Sequence, residues 1–474
     1  MTVSVANRRA VPSALTTDDL RELLGRLPFL DTEVDDSERI DQIGLLESIK
    51  AAAAGAQARA AAAFAESQRE SQAAAGVPAR ERGRGVAAQI ALARKDSPAR
   101  GSRHLGLAEA LVRELPHTME HLETGSVSEW RATIVCRETA CLSPEDRATV
   151  DAALAADLPQ LGDRQVEARA KALACRLDAA AMAKRAARAH SERRVTLRPA
   201  PDTMTHLTAL LPVAQGVAVL AALERAAGSA RAEGDERGRG QVMADTLVER
   251  VTGQTTAAAV PVEVQLVMPA ALGDEPSRLG GHVLPAQTAR DIVSSARQAG
   301  ARLTMRRVFT SPEGVDLDRI SSRRGPLPDH VAEPPPDQPD RPGAPEPPGT
   351  DVSASGRRFT GTVRRFILLR DQACRTPWCD APIRHVDHAI ATRADGATTT
   401  TNGQGLCEAC NYAKEAPGWR ARTVRAGPGH TVRTTTPTGH SYDSTAPPLL
   451  PARVRAGPTV SALESHYAAL LLTA

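Results

Sequence analysis

The sequence predicts a mainly helical N-terminal domain with a few short strands, followed on its C-terminal side by a small module stapled by cysteines. Three observations carry this reading. Aromatic residues make up only 2% of the 474 positions, so cores must be built from Ala, Leu and Val, a composition that favours close helix packing. Ten prolines fall between Gly325 and Gly356. Four of the seven cysteines lie beyond that stretch, as two close pairs.

The elements follow in order. Thr16-Thr17-Asp18-Asp19 is a helix N-terminus, and Leu20, Leu23, Leu24 and Leu27 follow at helical spacing as far as Pro28. Residues 38–76 are Ala-dense, with Ile40, Ile43, Leu45, Leu46 and Ile49 as an apolar stripe ahead of an Ala run, which predicts the longest helix of the domain. Further helices are expected over 82–94, 104–114, 126–141, 144–156 and 163–189, with breaks at Pro98, Pro116, Gly125, Pro144 and 159–162. Alternation marks strands at 194–198, 204–211 and 262–267, with helices at 213–227 and 241–252 between them. Cys136, Cys141 and Cys175 sit in Ala-rich helical stretches without partner spacing and are expected to be small core residues.

Residues 325–356 combine proline with small and acidic side chains that cannot bury a core, so an extended, solvated linker is expected there. It separates a domain of residues 1–324 from a module of residues 357–426. Residues 427–474 read as a Gly-, Thr- and Pro-rich tail, partly disordered, with a last helix over 460–472. The net charge of +3, from 59 basic and 56 acidic residues, names no partner by itself. Its distribution says more. Residues 357–425 hold 12 Arg and Lys against 6 Asp and Glu, the local excess expected of a phosphate-backbone binder. The basic stretch 185–198 reads as a solvated helix face ahead of a DNA contact. No apolar run follows Arg8 and Arg9, and the most apolar window, 207–223, is broken by Thr208, Pro212, Gln215 and Gly216. Neither a secretory signal nor a membrane span is expected, which points to the cytoplasm.

Cys374 and Cys379 form a C-x4-C pair, Cys407 and Cys410 a C-x2-C pair, and 27 residues separate the two. In a reducing compartment that spacing marks a structural Zn2+ site. Between and beside the pairs lie Asp387, His388, Asn402 and Asn411, a set that can hold a hard cation and activate water next to it.

On these residues the segment resembles the HNH nuclease motif in its ββα-metal form. The matching parts are Asp387-His388, a Gly-x-Thr-x-x-x-Asn turn at 396–402, and Leu-Cys-x-x-Cys-Asn-x-x-Lys at 406–414, covering about 70 of the 474 residues. The resemblance implies a metal-dependent DNA endonuclease, a hydrolase of phosphodiester bonds. It implies His388 as general base, Asp387 and Asn411 as ligands of a catalytic Mg2+ or Mn2+, Asn402 as the residue that orients His388, and structural zinc on the four cysteines. The commonest pattern has His where this chain has Asn411, whose carbonyl oxygen is a hard ligand suited to Mg2+ or Mn2+. Phage-type Holliday-junction resolvases of the same fold also carry Asn there. Arg384, His385 and Lys414 are candidate nucleic-acid contacts, whereas Trp378 and Trp419 read as packing residues of a small core. The order of helical domain, Pro-rich linker and HNH module is similar to a large actinobacterial family in which a helical domain of unknown function precedes an HNH module. The alternative from another class is a zinc-dependent DNA-binding or regulatory protein with a vestigial nuclease site. Convergence of Asp387, His388 and Asn411 on one ion separates the two.

Overall fold

The computed structural model of the chain describes residues 14–200, 204–253, 256, 266–267, 277–279, 282–298, 304–305, 308–310, 317–320, 325–326, 356–427 and 429–449. Residues 327–355 of the linker expected over 325–356, the helix at 460–472 and most of the strand at 262–267 lie outside the described residues.

In chain order the helices are α1 (Thr17–Arg26), α2 (Asp36–Ala74), α3 (Val86–Ala93), α4 (Pro98–Arg113), α5 (Pro116–Glu123), α6 (Glu129–Thr139), α7 (Pro144–Leu154), α8 (Asp163–Leu177) and α9 (Ala179–Ser191). The hairpin of β1 (Arg194–Pro199) and β2 (Thr205–Leu210), then α10 (Val213–Ala232) and α11 (Arg239–Thr252), follow them. Local chemistry sets the boundaries. At α1, Thr16 accepts from the Asp19 N–H at 3.2 Å while Asp19 takes the Thr16 N–H at 2.7 Å, closing a capping box. The break expected at Pro98 falls just ahead of it, since α3 ends at Ala93 and Pro98 opens α4, where its missing N–H costs nothing. The single helix expected over 163–189 is two, because Asp178 leaves helical geometry and caps α9 by accepting from the Ala181 N–H at 2.7 Å.

The chain divides into two compact units. One takes Met1–Ala60 and Ala110–Leu177, with Leu111, Leu115, Leu122, Ile134, Leu154 and Leu158 buried. The start of α5 has no cap of its own, so Asp151 of α7 accepts from the His117 N–H, Thr118 N–H and Thr118 hydroxyl at 2.7, 3.0 and 2.5 Å. The stripe Ile40, Ile43 and Leu45 on α2 remains exposed among the described residues. The expectation that Cys136, Cys141 and Cys175 fill the core is corrected. The first two are half-buried and Cys175 is exposed, since the buried face of α8 is Val166, Ala170 and Ala174, and Cys175 lies one residue, about 100°, off that face.

The second unit takes Ala61–Glu109 and Asp178–Ala474. Within it, Ala65 of α2, Val86 and Ile90 of α3 and Leu105 of α4 form one buried cluster. Short strands follow α11: β3 (Leu266–Val267), β4 (Ser277–Leu279) and β5 (His282–Leu284) form one sheet and precede α12 (Ala286–Gln298); β6 (Thr304–Met305), β7 (Val308–Thr310), β8 (Leu317–Ile320) and β9 (Gly325–Pro326) come after it. β6 pairs with β9 and β7 with β8.

The cysteine module comprises α13 (Gly361–Asp371), β10 (His385–His388), β11 (Gly403–Leu406), α14 (Glu408–Lys414), β12 (Arg420–Arg425), β13 (Thr431–Thr435) and β14 (Ser441–Thr445). β10 and β11 are antiparallel, with Asp387 opposite Gln404 and His388 opposite Gly403. α13 packs close behind, and at Gly403 a Cβ would lie 2.3 Å from Ile367 Cδ1 and 2.8 Å from Phe359 Cε1. Part of the stretch read as tail is therefore sheet: β12, β13 and β14 form an antiparallel meander whose Val432 and Thr431 are buried. Alternating Thr and Val residues supply the β-branched side chains that such a half-buried surface favours.

A buried ionic network ties these pieces together. Asp371 accepts from Arg370 Nε at 2.7 Å, Arg375 at 2.8 Å and the Gly405 N–H at 2.7 Å. Burial opposes its charge, but the two guanidiniums hold its carboxyl below the usual carboxylate range. Arg370 also donates to the carbonyls of Thr400 and Gly403 at 2.6 and 2.7 Å. Arg375 donates to the carbonyls of His430 and Ser444, and His430 Nε2 donates to the Thr401 carbonyl at 2.8 Å. The turn at 400–403 is thus held from behind by side chains.

Replacing Asp371 by Asn leaves two buried guanidiniums without their anion and should destabilise the module by about 3–5 kcal/mol, read by chemical denaturation of the zinc-loaded chain; a loss under about 1 kcal/mol would refute the role. Burial, then the Arg370 charge, brings His430 down from 6.5 to about 4. The unfolded chain therefore binds the extra proton between those values, so stability is full above pH 6.5 and falls as the pH drops towards 4. The native chain should lose about 3 kcal/mol more across that window than His430→Gln, and parallel profiles would contradict this.

Candidate metal centre and its neighbours

Cys374 and Cys379 stand on the loop after α13, held by the Cys374 N–H on the Ala381 carbonyl at 3.0 Å and the Arg375 N–H on the Gly405 carbonyl at 2.9 Å. Cys407 is the N-cap of α14, and its sulfur accepts from the Cys410 N–H at 3.4 Å. The four Sγ atoms lie within 4.8 Å of one another and all four residues are buried. The Cys379 to Cys407 and Cys379 to Cys410 distances are 3.8 and 3.5 Å. All are free cysteines. Sulfurs about 2.3 Å from a central zinc in a tetrahedron stand about 3.8 Å apart, so the spacing fits that ion and excludes a disulfide, whose sulfurs are about 2.0 Å apart. Donation led by Cys374 holds Cys407 well below the ordinary thiol range, whereas the neighbouring sulfurs, Cys374 first, push Cys410 far above it. Four buried thiolates cannot coexist without a cation between them.

Next to this cluster, β10 presents Asp387 and His388. The ring of His388 is buried, lies 4.5 Å from the Phe359 ring, and has Nε2 2.9 Å from Thr398 Oγ1. Its Nδ1 is 3.5 Å from Asp387 Oδ1. Burial outweighs that carboxylate and lowers the His388 pKa, so the imidazole is neutral near pH 7. Asp387 accepts from the His388 N–H at 2.8 Å and from Lys414 Nζ at 2.8 Å. Burial raises its pKa, but the Lys414 ammonium outweighs this and keeps it ionised.

Asn402 does not contact the His388 ring. Its amide accepts from the Ile390 N–H at 2.8 Å and donates to the carbonyls of Ile390 and Ala397, both at 2.9 Å. It closes the loop that follows His388, and Thr398 makes the ring contact. Asn411 stands three residues before Lys414, on the same side of α14. Its buried Oδ1 has no hydrogen-bond partner among the described residues. Lys414, expected on phosphate, is instead turned inward, with Nζ also on the His388 carbonyl at 2.7 Å. Arg384 and His385 are exposed. Trp378 meets Tyr442 edge to face with ring centroids 5.8 Å apart, but it stays 42% exposed and does not fill a core as expected. Sequence reasoning missed Phe359 and Thr398 as neighbours of His388; the Thr within the 396–402 turn was the available signal.

The chain is thus a largely helical protein whose second unit carries a four-cysteine cluster fit for one zinc ion. It belongs to the family described as Domain of unknown function (DUF222), whose model matches residues 46–330 and ends before the module. Neither the curated proteins nor the solved structures contain a match. Among the described residues no helix is long and apolar enough to cross a membrane.

The isolated chain should carry one zinc, and Cys407→Ser should lower its zinc content to less than half an equivalent and unfold the module, seen by metal analysis and by proteolysis within 374–410. A full, folded module without zinc would refute the site.

Proposed function

We propose that the module is a metal-dependent DNA endonuclease of the HNH kind, with His388 as general base and Asn402 closing the loop that positions it. One observation carries the reading: the buried, unpartnered Asn411 Oδ1 on the side of α14 that also brings Lys414 to Asp387. An unmet buried acceptor costs about 1–3 kcal/mol, and a hard cation is a partner that a carboxamide oxygen suits. Asp387 and Asn411 would hold such an ion, Mg2+ or Mn2+, and it would supply charge neutralisation at the phosphoryl and departing oxygens. His388, kept neutral by burial, takes the proton of the attacking water on its imidazole. Arg357, Arg358, Arg384 and His385 are exposed and would provide contacts for the DNA backbone.

A second reading, a zinc-stapled DNA-binding or regulatory protein with a vestigial site, is favoured by one observation. The Lys414 ammonium already neutralises Asp387, as a permanent substitute for an ion would.

Plasmid incubated with the chain and Mg2+ or Mn2+ decides between them. His388→Ala should retain DNA binding and lose about 10²- to 10⁴-fold in cleavage rate. Asp387→Ala should recover part of its activity at high Mn2+, because that lesion weakens ion affinity. Equal cleavage by His388→Ala and the native chain would eliminate the nuclease role of this residue.

A further inference from the structure

α14 is only seven residues long, too short to hold itself together. Its first turn is fixed by Cys407 and Cys410. Its last turn is met by a different part of the chain, the corner between α2 and α4, which belongs to the same compact unit. Arg84 donates to the Tyr412 carbonyl at 3.2 Å, which lies in the last turn and also takes the Glu415 N–H at 3.2 Å, and brings positive charge to the negative end of the helix dipole. Gly85 follows in a left-handed conformation, φ 83°, and a Cβ there would lie 2.5 Å from Trp419 Nε1 and 2.8 Å from Ala416 Cβ. Thr438 in the β13–β14 turn donates to Gln89 Oε1 at 3.1 Å. Ala88 and Pro98 face Gln404, Ala413, Lys414 and Trp419 across a small shared cavity.

We propose that the 84–98 corner of the helical region is a docking surface for the cysteine module of the same chain, and that it clamps the C-terminal end of α14 so that Asn411 and Lys414 keep their positions against Asp387. The part concerning catalysis rests on the nuclease reading; the docking does not. In this arrangement α14 has two anchors of different kinds, thiolates at one end and the helical region at the other. Arg84 is a positioning residue, acting on the site through the helix backbone.

Gly85→Asn tests the clamp while sparing the local backbone, because Asn tolerates left-handed geometry but its side chain meets Trp419 and Ala416. The experiment uses the full, zinc-loaded chain. Amides 411–416 should exchange hydrogen about tenfold faster than in the native chain, while cobalt-thiolate absorption of the Co2+-substituted chain is unchanged. Arg84→Ala should give a smaller effect in the same amides, reversed in part by Arg84→Lys, and serves as the test if Gly85→Asn does not fold. Plasmid cleavage by Gly85→Asn should fall in kcat with little change in KM. Native-like protection of 411–416 in both variants overturns the clamp. If the native chain cleaves no plasmid with any divalent ion, the nuclease reading falls, and the exchange result alone decides the docking.

Discussion

Four sulfur atoms held within 4.8 Å of one another impose a condition that the rest of the module obeys. Thiolates so close repel, and a cation among them replaces repulsion with four attractions. The two cysteine pairs lie on either side of the β10–β11 hairpin, so gathering them folds everything from Cys374 to Cys410 into one cross-linked loop. The alternatives for stability are poor here. β10 and β11 have four residues each and α14 seven; elements of that length do not persist alone.

A second constraint works from the opposite side. Asp371, with its two guanidiniums, places a fully desolvated charge network behind the 400–403 turn, from which Asn402 reaches the loop after His388. Breaking such a network is costly because each ion left behind is both buried and unpaired. The surroundings of His388 therefore come from rigid supports on both sides: Phe359 ahead of α13 on one, the turn bearing Thr398 on the other.

Helical periodicity and capping chemistry were legible in the sequence, as Thr16 with Asp19 and the long Ala-rich α2 illustrate, because both are local. So was the cysteine spacing. What stayed hidden depends on residues remote in sequence. Arg370, Asp371 and Arg375 read only as members of the basic segment 357–425, since the partners His430 and Ser444 come 55 and 69 positions after Arg375. Residues 431–445 read as tail, since Thr-rich strands acquire their preference from the surface they cover. Cys175 was misplaced because Ala-rich helices are nearly uniform around their circumference, so composition does not say which side is inward. Lys414 was placed on the outside for its charge, yet it finds Asp387 inside at 2.8 Å.

The late position of β13 and β14 bears on how the chain is made. Arg375 cannot complete its bonds until Ser444 has left the ribosome, and the cysteines cannot all gather before Cys410 emerges. During synthesis the helices before residue 200 can form from neighbouring residues as they appear, whereas the cysteine module must wait until Ser444 is made. A chain cut short between Cys410 and Ser444 would hold all four cysteines yet leave the buried Arg375 without the Ser444 carbonyl, so the metal ligands and the charge network behind them are completed at different points of synthesis.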